Sequence, residues 1–254
     1  MDVHVIAFDP PTILLQKLQR LFPEAHTKHK QAVNLKNVPV KHLVTNNLIT
    51  FSTENSIMNG RKWHHEHATQ GGIGLIHAVR LSLNENNDRP LLILEEDCIL
   101  RDEQTFLITI RKLLVRIDDF DMAVFGIFHT YQRQRQHVAY LPKNWFHVED
   151  RFWGMHCVLY SPKARAKLGR LLLGPAEMQI DSYCGNLARY KRLKIIGESS
   201  RRLAVQSTHS SSIQKFDLLG KGHMMVHLLC ILIVLYILVH KYSTWCRTTL
   251  PFLR

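Results

Sequence analysis

Cysteine is sparse, and the few present are badly placed for bridging or for holding zinc. Cys98, Cys157, Cys184, Cys230 and Cys246 make five, with no C-x-x-C pair among them. That excludes a disulfide scaffold and a zinc ribbon, and it fits a reducing compartment. Charge is also scarce: 21% of residues are charged against 46% apolar, which excludes a disordered or tail-like chain. With 254 residues, the chain can build one α/β domain with a substantial core, or such a domain plus an appendage. The opening MDVHVIAFDPP lacks a basic start, and its apolar run covers only Val5 to Phe8. It is too short for the core of a signal peptide.

Acidic residues are the minority, 21 against 33 lysines and arginines. The surface potential therefore favours anionic partners such as nucleic acid, a phospholipid face or a nucleotide substrate. No long basic block chooses among them. The basic residues fall into short sets, for example Arg133 with Arg135, and Lys163, Arg165 and Lys167, and most read as solvated surface charge.

A long hydrophobic run is missing until the far end, where Met224 to Val239 reads MMVHLLCILIVLYILV with one interruption at His227. As a helix it would span about 24 Å, the short edge of what crosses a bilayer. A buried core helix is the plainer alternative. The run is apolar on every face, follows Gly-Lys-Gly at 220–222 and precedes a tail with Lys241, Arg247 and Arg254, which favours a transmembrane helix. The expected organisation is a domain over 1–215, a linker over 216–223, a membrane helix over 224–240 and a short tail over 241–254. With no signal upstream, this predicts a tail anchor with the domain facing the cytosol.

Within the domain the pattern alternates. VHVIAF at 3–8 reads as a buried strand, and the following LLQKLQRLF has helical periodicity. Leu48 to Phe51 is a weak strand candidate. GGIGLIHAVRLSL at 71–83 reads as a helix approached through glycines, LLILEED as a strand, TFLITIRKLLVRI as a helix, and DMAVFGIF at 121–128 as a strand. Trp153 to Tyr160 is a further strand. Ser161 and Pro162 then start a helix, the hydroxyl as cap and the proline at the first helical position. A helix over Asp181 to Tyr190 and a strand in RLKIIG complete the series. Such alternation predicts a mainly parallel sheet covered on both faces, with its active site at the carboxyl ends of the strands.

LEED lies at such an end, and it poses a physical problem. Burying an unpaired carboxylate costs several kcal/mol or forces its protonation, yet Glu95, Glu96 and Asp97 follow directly on LLIL. A strand merely running out into solvent would explain them plainly. The sharper reading is a divalent metal site, because hard cations take oxygen ligands and one bridging substrate phosphates needs only one or two protein carboxylates. Extended backbone puts Glu95 and Asp97 on one side and Glu96 on the other. The histidine-rich WHHEH at 63–67 lacks the second half of any familiar metal spacing and reads as a polar loop. His77, alone among apolar neighbours, reads by default as a hydrogen-bonded core histidine.

Four segments in order, GRKWHHEHATQGGIGLIHAVRLSL, LLILEEDCIL, FWGMHCVLYSPKARAKL and MQIDSY, resemble glycosyltransferase family 25. That family holds lipopolysaccharide β-galactosyltransferases and collagen galactosyltransferase domains. The similarity spans residues 3 to 214. It implies a GT-A-like nucleotide-sugar-binding fold, a nucleotide-diphosphate sugar donor (UDP-galactose by family habit), a Mn²⁺ or Mg²⁺ ion, and inverting transfer of a hexose to a saccharide or glycoprotein acceptor. By position, Glu95 and Asp97 would hold the metal, and Gly72, Gly74, His77, Glu96, Gly154 and His156 the nucleotide sugar. Asp181 would be the base, with Asp150 and Glu177 in reserve. His209, in the polar segment VQSTHSSSIQ, could contact metal or phosphate. A metal-dependent phosphodiesterase or nuclease, and a glycosyltransferase-like binding protein without activity, remain the rival classes.

Overall fold

The computed structural model describes residues 1–35, 37–58, 70–85 and 88–207. The proposed membrane segment 224–240, His209 and the WHHEH cluster lie outside the described residues. No helix among those described is long and apolar enough to cross a membrane.

In chain order the elements are β1 (Asp2–Ala7), α1 (Thr12–Leu21), β2 (His26–Gln31), α2 (Val40–Thr45), α3 (Phe51–Met58), α4 (Gln70–Asn84), β3 (Leu91–Glu95), β4 (Cys98–Leu100), α5 (Glu103–Val115), β5 (Met122–Val124), β6 (His129–Thr130), β7 (Trp145–Val148), β8 (Phe152–Trp153), β9 (Cys157–Tyr160), α6 (Pro162–Leu171), α7 (Ile180–Arg189), β10 (Ile195–Glu198) and β11 (Ala204–Gln206). Seven strands form one sheet in the order β2-β1-β3-β9-β5-β10-β7. β1 runs parallel to β2 and β3, and β10 runs parallel to β5. β9 is antiparallel to both β3 and β5, and β7 is antiparallel to β10. The fold is thus mixed α/β with a mainly parallel sheet.

The run LLIL is apolar throughout because both faces of β3 are covered. Leu91 and Ile93 join one core with residues of α4, α6 and α7. Leu92 and Leu94 join the other, with Leu18 of α1 and Phe106, Ile110 and Leu113 of α5. Capping follows the sequence: the Ser161 hydroxyl accepts the Ala164 N–H at 3.2 Å, and the Asp102 carboxylate accepts the Thr105 N–H at 2.9 Å.

Four expectations are corrected. Leu48 to Phe51 is not a strand: Ile49 makes a single bridge to Ala176, and α3 begins at Phe51. The strand from Asp121 stops at Val124, because the chain turns at Gly126 with φ +70°. Trp153 to Tyr160 is split into β8 and β9 by Gly154 at φ +108°. Arg165 is not solvated but fully buried, its guanidinium donating to Asp2 Oδ2 at 3.2 Å, to the Arg89 carbonyl at 2.7 Å and to the Glu85 carbonyl.

Candidate active site

From β1 the chain moves outward to β2 on one side, and β3 joins β1 on the other. The strand order therefore reverses between β1 and β3, and the crevice at their carboxyl ends is where open α/β sheets bind ligands. The LEED turn occupies this crevice. The Glu95 N–H donates to the His156 carbonyl at 2.9 Å and the Glu96 N–H to the Ile6 carbonyl at 2.9 Å, which locks the turn to the strands on either side.

The three carboxylates meet different fates. Glu96 turns towards β1 and accepts the Phe8 N–H at 3.0 Å, so it fixes the start of the Asp9-Pro10-Pro11 loop. Gln31 holds the same loop from the edge strand, donating to the Phe8 carbonyl at 2.7 Å. Asp97 accepts Gln206 Nε2 at 2.9 Å, and its carbonyl accepts the Ser207 N–H at 2.8 Å. That link follows from β4 pairing antiparallel with β11, Cys98 opposite Gln206. Glu95 is 7% exposed. Burial, then the charges of Asp97, Asp181 and Glu96, push its carboxyl up to about 8.

Asp181 enters from the opposite side of the chain order. It sits in the first turn of α7, half-buried, and accepts the Ser182 N–H at 2.7 Å. Burial raises its carboxyl to about 6, although the backbone N–H groups of Ser182, Gly154 and Asp181 itself pull the other way. A carboxyl poised near neutrality has the acidity expected of a general base. The structure therefore brings Glu95, Asp97, Asp181 and Gly154 together, with Glu96 turned to the neighbouring loop.

The remaining proposed positions have varied surroundings. Gly74 lets α4 approach the segment after β2: a Cβ there would stand 2.0 Å from the Val33 carbonyl oxygen. Gly72 is buried in the first turn of the same helix. His156 is 1% exposed and stacks with Phe128 at 5.3 Å, and burial holds its imidazole down at about 4, neutral at physiological pH. His77 is half-buried in mid-helix, and its Nε2 has no hydrogen-bond partner, unlike the satisfied core histidine expected. Burial and Arg80 lower its pKa. Of the reserve bases, Asp150 accepts the Arg151 N–H at 2.8 Å. Glu177 lines a cavity of about 200 Å³ with Met178, Ile180 and Tyr183.

Sequence reasoning missed Glu198. It is fully buried at the end of β10 and accepts the Gly126 N–H at 3.1 Å and Asn144 Nδ2 at 2.7 Å. It thereby anchors the loop that passes beside His156. A lone Glu after IIG carries no signal of that role, because Asn144 and Gly126 are 54 and 72 residues away.

Oxygen donors fit a hard divalent cation here. Burial first, and then the charge of Asp97, keeps a proton on Glu95, and a cation would relieve both. Among the described residues no group of three or more His, Cys, Asp or Glu side chains is placed to hold a metal ion, so an ion on these two carboxylates would take its remaining ligands from substrate and water.

No family model matches the chain. No curated protein matches it either. Solved structures overlap it weakly. UDP-glucose pyrophosphorylase complexed with UDP-glucose is 14% identical at TM-score 0.42, over 78% of this chain and 89% of that one. UTP-bound UGPase from Acinetobacter baumannii is 12% identical at TM-score 0.42, over 89% and 98%. Mannose-1-phosphate geranyltransferase from Thermus thermophilus is 12% identical at TM-score 0.39, over 78% and 73%. At that level of overlap, function has to come from the residues themselves.

Proposed function

We propose that the chain is a GT-A-type glycosyltransferase. It would move a hexose, galactose by the family resemblance, from a nucleotide-diphosphate sugar to a saccharide or protein hydroxyl, with inversion. The observation that carries this reading is the meeting of Glu95, Asp97 and Asp181 at the strand-order reversal between β1 and β3. Glu95 and Asp97 would hold Mn²⁺ or Mg²⁺, which when bound supplies charge stabilisation for the departing diphosphate. The Asp9-Pro10-Pro11 loop, whose start is fixed by Glu96 and Gln31, would border the nucleoside. Asp181, on the α7 side, takes the proton from the acceptor hydroxyl as that oxygen attacks the anomeric carbon. Single displacement with one base gives inversion. The segment 224–240 would tether the enzyme to a membrane.

Calorimetry on the full chain tests this with UDP, UDP-galactose and UDP-glucose, each with and without Mn²⁺. The expected result is manganese-dependent nucleotide binding that Asp97→Ala abolishes. Asp181→Asn should keep donor binding and lower transfer by about 100-fold or more. Equal UDP affinity in the parent and in Asp97→Ala, both with Mn²⁺, would overturn the assignment.

A further inference from the structure

The ribbon of β6 and β8 carries a face that the carboxylates do not use. His129 pairs with Trp153 and Thr130 with Phe152. Strand alternation sends Thr130 and Phe152 inward, where both are buried, and leaves His129, Tyr131 and Trp153 on the outer side. The rings form one cluster. His129 lies 5.1 Å from Tyr131 and 5.4 Å from Trp153, and Tyr131 lies 6.2 Å from Trp153. The Arg151 guanidinium sits 5.0 Å over the Tyr131 ring. Cross-strand aromatic pairs do stabilise a ribbon, but Tyr131 remains 41% exposed and His129 is also exposed. The cluster therefore keeps aromatic surface open to a ligand.

Two contacts fix this face relative to Asp181. Gly154 directly follows Trp153, and its N–H donates to the Asp181 carboxyl. Gly185 of α7 packs against the ribbon so closely that a Cβ would stand 2.5 Å from Arg151 Cα. The ring face and the base candidate thus belong to one rigid corner of the site. A pyranose ring offers a flat face of weakly positive C–H groups, which complements the negative face of an aromatic ring. The Arg151 cation adds recognition of a carboxylate or phosphate, in a chain whose net charge is +12.

We infer that Tyr131, Trp153 and Arg151 form the acceptor subsite, and that it takes a saccharide bearing an acidic group. One sugar ring stacks on the exposed Tyr131, with Trp153 set at 77° to it as a side wall, and the acid group lies against Arg151. This rests on the transferase reading, because the acceptor role requires a donor site beside it.

The test titrates the full chain with oligogalacturonate, and separately with neutral lactose, following tryptophan fluorescence and calorimetric heat. UDP with Mn²⁺ is titrated on the same samples. Oligogalacturonate should bind at least several-fold more tightly than lactose. Tyr131→Ala should weaken it about tenfold, while Tyr131→Phe, which keeps the ring, should bind like the parent. Circular dichroism checks that each variant is folded. No oligogalacturonate binding by a protein that binds UDP overturns this inference alone, as does equal affinity in Tyr131→Ala and the parent. Equal affinity for lactose removes the part assigned to Arg151. Saccharide binding without any UDP binding overturns the transferase reading, and the acceptor role with it.

Discussion

At pH 7 Glu95 holds its proton, because the usual carboxyl value of 4.5 has risen to about 8. Between those two values the folded protein keeps a proton that the unfolded chain has released. Stability therefore falls as pH rises from 4.5 to 8, and the deficit is complete above 8. His4 acts at the other end of the scale. Burial, then Lys30, hold its imidazole down at about 4 against the usual 6.5, so its contribution is present above 6.5 and is lost as pH falls through 4. In urea unfolding of the metal-free protein, Glu95→Gln should exceed the parent by more than about 1 kcal/mol at pH 8 and match it near pH 4. A constant difference across that range would mean that Glu95 is ionised throughout. The electrostatics of LLILEED thus have a plain resolution in the metal-free state: one carboxyl is neutralised, one is tied to Phe8 N–H, and one is tied to Gln206.

Among the elements, α4 separates packing from ligand binding most cleanly. Its glycines look in sequence like a nucleotide-binding lead, yet Gly74 faces the Val33 carbonyl, a backbone group that cannot step aside cheaply. Gly74→Ala gains about 1 kcal/mol of helix propensity and loses about 1–3 kcal/mol to overpacking, so a net drop in thermal stability is expected. UDP binding measured well below the melting temperature should stay at the parent level. A variant with parental stability and weakened UDP binding would return Gly74 to the ligand. Helices α1, α4, α5, α6 and α7 were legible at this scale, because caps and periodicity are local, as with Ser161 before Pro162 and the helical periodicity of α1, whereas α2 and α3 were not. The short strands were not, because β5 and β8 stop before Gly126 and Gly154, which take positive φ, and β9 starts only after Gly154, and those turns serve contacts distant in sequence.

For the molecule as a whole, Arg165 is the clearest cross-tie. Its guanidinium joins α6 to the end of α4 and to β1 through the Ser82, Leu83, Glu85 and Arg89 carbonyls and the Asp2 carboxylate. Truncating one partner of a buried ion pair leaves the other charge uncompensated. Arg165→Leu should cost about 3–5 kcal/mol in denaturant unfolding. The double variant with Asp2→Asn should recover part of that loss. An Arg165→Leu protein as stable as the parent would mean that Arg165 is a surface residue after all.

The sequence by itself determined the alternation of strands and helices, the burial of β3 on both faces, and the placing of LEED at a strand's carboxyl end. Those properties follow from periodicity and local chemistry, which a chain carries wherever it folds. Only the tertiary structure decided that β9 runs antiparallel between β3 and β5, that Asp181 comes to face Glu95 from 86 residues away, and that Arg165 and Glu198 are buried. These are long-range pairings. Their energy lies in burial and charge between segments that share no local pattern, so no stretch of sequence announces them until the sheet is assembled.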